Sequence, residues 1–296
     1  MSRLGVASVG LAGALMLAGC VDNPLATSNQ SAVKKPAFAV AAASAARGGG
    51  RTGRHIISFS GAVPATFAGD VQALGGRVLW VSAGNGLATV SGLSAAAVAS
   101  LSARQGIAAV DEDASLSLEL PKLGTVDGGG VAGATSNDDP AGAVRYARQW
   151  NMRAVQADAA WARGFLGSSH VSIYMLDSGI DYLHSDLVGR VDLDRSVDLL
   201  GTFDADMPDG STVPFTEADT VQAYFPGRLA FTDLFFHGTH TGATVSSNAV
   251  RAAGITSKTT LVAVKVCGYI DQCPFSSILN GVDVRDHGEI IRGHLA

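Results

Sequence analysis

The sequence predicts an α/β protein with a smaller α+β module in front of it. Three observations carry this expectation. Between residues 54 and 113 strand and helix patterns follow one another as βαββαβ; two apolar strand runs lie at 171–176 and 261–266; and helical patterns sit between and after those runs. The chain of 296 residues is 47% hydrophobic and only 16% charged, so it has the material for a core and not the composition of a disordered protein. A net charge of -5 with no basic block leaves no electrostatic footprint for a phosphate backbone, and nucleic acid is not an expected partner.

The first segment, 1–20, has Arg3 as a short positive region, an apolar stretch from Leu4 to Leu17, and the ending Leu17-Ala18-Gly19-Cys20. It resembles a bacterial lipoprotein signal, which implies lipidation of Cys20 and contact with a membrane through that anchor alone. The plainer reading is a secretory signal with a chance cysteine at its end, and both readings place the protein outside the cytoplasm. Residues 21–53, rich in Ala, Ser, Gly and Asn, read as a flexible linker.

The module assigned to 54–120 starts with a strand at 56–59 and a helix at 67–74 ended by Gly75-Gly76. A strand at 78–81, the turn Gly84-Asn85-Gly86 and a strand at 87–90 form a hairpin. Ser94 then caps a helix carrying Ala97, Val98 and Leu101, and a last strand starts at Ile107. This order is the ferredoxin-like arrangement. Residues 121–145, with Gly128-Gly129-Gly130 and Asp138-Asp139-Pro140, have the composition of a processing linker, and 146–296 form the α/β domain. There Trp150 to Ala162 reads as helical, 171–176 and 261–266 as buried parallel strands, and 275–282 as a helix.

Asp177 ends the first buried strand within Leu176-Asp177-Ser178-Gly179, the position where open α/β sheets collect functional groups. Alone, an aspartate there is a turn residue or helix cap. Sixty positions later His237-Gly238-Thr239-His240-Thr241-Gly242 places a histidine at a helix start, with glycine allowing close backbone approach. Together with Trp150-Asn151, Ala160-Trp161, His184-Ser185-Asp186-Leu187 and Ala263-Val264-Lys265-Val266, in this order, these blocks resemble the subtilisin-like serine proteases, the S8 peptidases. The 54–120 module resembles their inhibitory propeptide in Leu74-Gly75-Gly76-Arg77-Val78, Gly92-Leu93-Ser94 and Val110-Asp111-Glu112-Asp113.

The resemblance implies a ferredoxin-like propeptide domain followed by part of a subtilisin-like parallel-sheet domain, and hydrolysis of peptide bonds in polypeptide substrates. Asp177 carries over as the acid that orients the imidazole, and His237 as the general base, the two within hydrogen-bonding distance. His240 is expected to be a structural neighbour, because His237 and His240 alone are too few ligands for zinc. The serine of the triad should follow His237, yet only Ser246, Ser247, Ser257, Ser276 and Ser277 do so, none in a G-T-S-M-A setting. The expectation is a catalytic domain truncated before its nucleophile and inactive as the given chain. The alternatives are a propeptide-type inhibitor or folding helper, or a surface-anchored binding protein; the module itself would be a partner of the catalytic part.

With Cys20 taken by lipid, Cys267 and Cys273 form an even pair, and an oxidising compartment favours a disulfide between them. Asp192, Asp194, Asp198, Asp204, Asp206 and Asp209 make an acidic stretch ending in Gly210. Calcium suits such oxygens, but the spacing departs from the usual calcium loop, so a solvated insertion and no cofactor are expected.

Overall fold

A computed structural model describes residues 50–117, 139–207 and 209–286. Cys20, the signal and most of the linker at 21–53, the linker at 121–138 and the polar end at 287–296 lie outside the described residues. The N-terminal module runs β1 (Arg51–Phe59), α1 (Phe67–Ala73), β2 (Arg77–Ser82), β3 (Leu87–Ser91), α2 (Ala95–Ser102) and β4 (Ile107–Leu116). Its strands are antiparallel in the order β4-β1-β3-β2, the ferredoxin-like sheet. Strand periodicity divides β1 between two faces. Ile57 and Phe59 meet Phe67, Val71 and Leu101 of the two helices, while Thr52 and Arg54 are buried on the other face. The Ser94 hydroxyl accepts from the Ala97 amide at 3.2 Å and starts α2.

The second region contains α3 (Trp150–Ala154), α4 (Ala157–Trp161), β5 (Ser172–Asp177), β6 (Val197–Asp198), β7 (Thr202–Asp206), β8 (Thr212–Thr216) and α5 (Glu217–Tyr224). It continues through α6 (His237–Val245), β9 (Thr260–Lys265), β10 (Cys273–Pro274) and α7 (Phe275–Asp286). The expected helix at 150–162 is two short ones, because Gln156 takes a left-handed φ of 56° between them. Strands β5, β9 and β6 form a parallel sheet with β9 in the middle. Leu261 and Ala263 of β9 pack with Ile180 and with Ala243 of α6; Val262 and Val264 pack on the opposite face with Val284 of α7. Both faces of the central strand are therefore covered, the arrangement that makes a parallel strand continuously apolar.

The acidic stretch is only in part the solvated loop expected: Asp194 and Asp209 are exposed outside any strand, but much of the stretch is structured. Asp198 lies in β6, and Asp204 and Asp206 lie in the antiparallel β7–β8 hairpin, where Phe203, Ala205 and Phe215 pack with Leu200. The hairpin buries one side of its strands, so its carboxylates are the other side of an alternating pattern. Strand β10 pairs with β4 and extends the N-terminal sheet to five strands. Among the described residues no helix is long and apolar enough to cross a membrane.

Candidate active site

The site forms where the C-terminal end of β5 meets the first turn of α6. In-register parallel pairing sets Asp177 beside Lys265 of β9. The Asp177 carbonyl accepts from the amides of Val266 and Cys267, at 2.9 and 3.2 Å, which holds the strand end in place. After Asp177 the chain must turn sharply, and Gly179 does so at φ 98°. A Cβ at Gly179 would lie 2.2 Å from the Phe231 carbonyl, and one at Gly238 would lie 2.0 Å from the Gly179 carbonyl. These glycines let the turn after β5 and the start of α6 touch backbone to backbone.

That approach brings His237 Nδ1 to 2.7 Å from Asp177 Oδ1. The same oxygen accepts from the Ser178 amide at 2.7 Å, and Oδ2 accepts from the Thr241 hydroxyl at 3.0 Å. Asp177 is buried, whereas the His237 side chain keeps 28% of its surface. Among the described residues nothing hydrogen-bonds His237 Nε2, so that nitrogen is the open end of the pair. Immediately before His237, Phe236 adopts a left-handed φ of 76°, stacks on Phe235 with centroids 5.3 Å apart, and is half exposed. A bulky residue held there is strained backbone beside the imidazole.

This geometry sits on a sheet with known counterparts. No family model matches the chain. Among curated proteins, a subtilisin-like protease 10 from Arthroderma otae is 32% identical over 123 residues, which cover 40% of this chain and 23% of that protein. Among solved structures, the epidermin leader peptide processing serine protease EpiP from Staphylococcus aureus superposes with a TM-score of 0.54 at 16% identity. The match covers 81% of this chain and 48% of EpiP. Fervidolysin from Fervidobacterium pennivorans, a keratinolytic enzyme related to subtilisin, gives 0.50 at 13% identity over 81% of this chain and 35% of its own. The fold is subtilisin-like. The chain spans less than half the length of each of these proteins.

Within the subtilisin-like fold the five serines after His237 are all buried and occupied elsewhere or enclosed. Ser246 donates to the Thr259 carbonyl, Ser247 to the Ala252 carbonyl, and Ser276 to Asp113; Ser277 accepts from Arg54. Ser257, also buried, donates its amide to the Leu166 carbonyl. None hydrogen-bonds His237. His240 is exposed one turn along α6. Cys267 and Cys273 are joined in a disulfide. Among the described residues no three His, Cys, Asp or Glu side chains group as metal ligands. Asp192 pairs with Arg195, and Asp209 bonds Ser211.

Sequence reasoning passed over the residues beneath the pair. Lys265, with no exposed surface, sends Nζ to the carbonyls of Ser178 at 2.6 Å and Thr232 at 3.0 Å, and lies 2.7 Å from Glu217 Oε1, also fully enclosed. Burial pushes the Glu217 carboxyl up, against the pull of the Lys265 charge and of its bonds to Lys265 and the Tyr269 amide. Burial likewise pushes Asp198 up to about 6, with Lys265 opposing. A lysine closing the buried strand β9, within the apolar run 261–266, was the available signal, because a buried charge requires a partner. Asp233, four residues before His237, was also missed, although aspartate commonly accepts from backbone amides two or three residues on in a turn, as it does here from Phe235 and Phe236.

Proposed function

We propose that this chain carries the acid–base half of a serine peptidase site directed at polypeptide substrates outside the cytoplasm, and that the chain by itself has no peptidase activity. The 2.7 Å contact between His237 Nδ1 and Asp177 Oδ1 supports the first part. With the Nδ1–H donating a hydrogen bond to Asp177, the Nε2 lone pair is free to take a proton from a hydroxyl nucleophile and later return it to a leaving amine. Asp177, held by the Ser178 amide and the Thr241 hydroxyl, orients the ring and offsets the charge that forms on it. The burial of Ser246, Ser247, Ser257, Ser276 and Ser277 supports the second part, since a nucleophile must reach both the imidazole and the substrate.

The test is incubation of the full chain with casein and with a serine-directed fluorophosphonate. No hydrolysis and no label are expected. A labelled serine, identified by mass spectrometry and lost in His237→Gln, overturns the inactive reading. Anchoring through Cys20 belongs to the same proposal: fatty-acid label should enter the chain and be absent from Cys20→Ser.

The ferredoxin-like sheet meets α7 through Asp113, which accepts from Ser276, and through Trp80 and Ser82, which donate to Asp283; this favours a second reading, in which the module is a propeptide-like inhibitor or folding helper. Inhibition of a full-length subtilisin-like protease by the chain would support it.

A further inference from the structure

Asp233 is buried and accepts five hydrogen bonds. Four belong to the approach to α6: the amides of Phe235 and Phe236 on Oδ1, and the amide and hydroxyl of Thr239 on Oδ2, at 2.6 to 2.9 Å. The fifth comes from elsewhere. The Ser178 hydroxyl, fully enclosed at the end of β5, donates to Asp233 Oδ1 at 2.9 Å. That same hydroxyl accepts from the Gly238 amide at 2.9 Å. The residue after Asp177 is thus bonded to the residue after His237, and the two links close a ring around the Asp177–His237 contact.

A hydroxyl rotates freely unless its proton has a fixed destination. With its proton committed to the Asp233 carboxylate, the Ser178 oxygen presents a lone pair to Gly238. We propose that Asp233 is a positioning residue, which through Ser178 sets the place of His237 against Asp177. Of the amides on Asp233 only that of Thr239 lies in α6, those of Phe235 and Phe236 hold the turn before it, and the bond from Ser178, just after β5, is needed for neither. Thr239 extends the brace, because its hydroxyl accepts from the Asp181 amide at 2.9 Å while donating to Asp233. The proposal rests on reading Asp177 and His237 as an acid–base pair.

The experiment uses the full chain labelled with ¹⁵N-histidine, and reads the His237 tautomer and the solvent exchange of its Nδ1 proton. In the unaltered chain His237 should be the Nδ1–H tautomer with a slowly exchanging proton, and Asp177→Asn should abolish that signature. Ser178→Ala and Asp233→Asn should each speed the exchange about tenfold, the loss expected for one charge-assisted link. The double variant should exchange no faster than the faster single one, because one brace is broken twice. If Asp233→Asn does not fold, Ser178→Ala alone decides, since it leaves every cap on Asp233 in place. Exchange within twofold of the unaltered chain in Ser178→Ala, or multiplied effects in the double variant, overturns the positioning role while leaving the pair intact. An unchanged signature in Asp177→Asn overturns the acid–base reading and the brace with it.

Discussion

Gly238 and Gly179 carry the tightest constraint in the site, because each would push a Cβ into a carbonyl oxygen of the facing segment. Gly238→Ala is expected to cost about 1–3 kcal/mol, the usual range for overpacking a closed contact, read as a lowered urea midpoint at unchanged slope. It should also lengthen the Asp177–His237 contact, seen as loss of the protected Nδ1 proton of His237. The placement of the Asp-Ser-Gly and His-Gly-Thr-His blocks was legible in the sequence because it is local: a carboxylate at a strand end, an imidazole at a helix start, and a glycine close after each. Asp233 and Lys265 were not legible as partners of that chemistry. Their roles come from the turn after β5 meeting the loop before α6, and no spacing along the chain records that meeting.

Strands and helices were legible where a local pattern was clear, as in the continuous apolar run of β9 and in α7, whereas β1 starts at Arg51, inside the stretch read as a linker to 53, because its first residues pair with the end of β4. They were missed where tertiary contacts decide the conformation, as at Gln156 and in the part of the acidic stretch that forms β6 and the β7–β8 hairpin. Helix α5 follows that hairpin and brings Glu217 under β9 to meet Lys265. Glu217→Gln leaves a buried ammonium without its counter-charge and is expected to cost about 3–5 kcal/mol in urea unfolding. Asp198 gives a pH dependence. Its carboxyl is raised from 3.8 to about 6 by burial, so the folded chain holds a proton there that the unfolded chain releases. The stability this contributes is full below about pH 4 and is lost as pH rises through 6. Subtracting the stability–pH curve of Asp198→Asn from that of the unaltered chain should leave a fall between those limits and a flat line above. A difference curve that rises with pH would refute the assignment.

The two regions are joined by buried polar contacts. Arg54 of β1 reaches the carbonyls of Leu200 and Thr202 and the hydroxyls of Ser276 and Ser277; Asp113 of β4 accepts from the amide and hydroxyl of Ser276 at the start of α7. Trp80, Ser82 and Asn85 converge on Asp283 of the same helix. Arg54→Met should remove the donors from the carbonyls of Leu200 and Thr202 and from the Ser276 and Ser277 hydroxyls, a loss of about 3 kcal/mol. In urea the unaltered chain should unfold in one step with coincident tryptophan fluorescence and far-ultraviolet dichroism, whereas Arg54→Met should show the two probes separating. The five-stranded sheet also has a history. Its first four strands are complete once Leu116 has been synthesised, but Cys273 and Pro274, which pair with Leu116 and Ser115 at the end of β4, come much later, as does Ser276, 163 residues after its partner Asp113. Until then the end of β4 and the buried Asp113 lack these partners, and an unpaired strand edge is the kind of surface that growing chains must keep from wrong contacts.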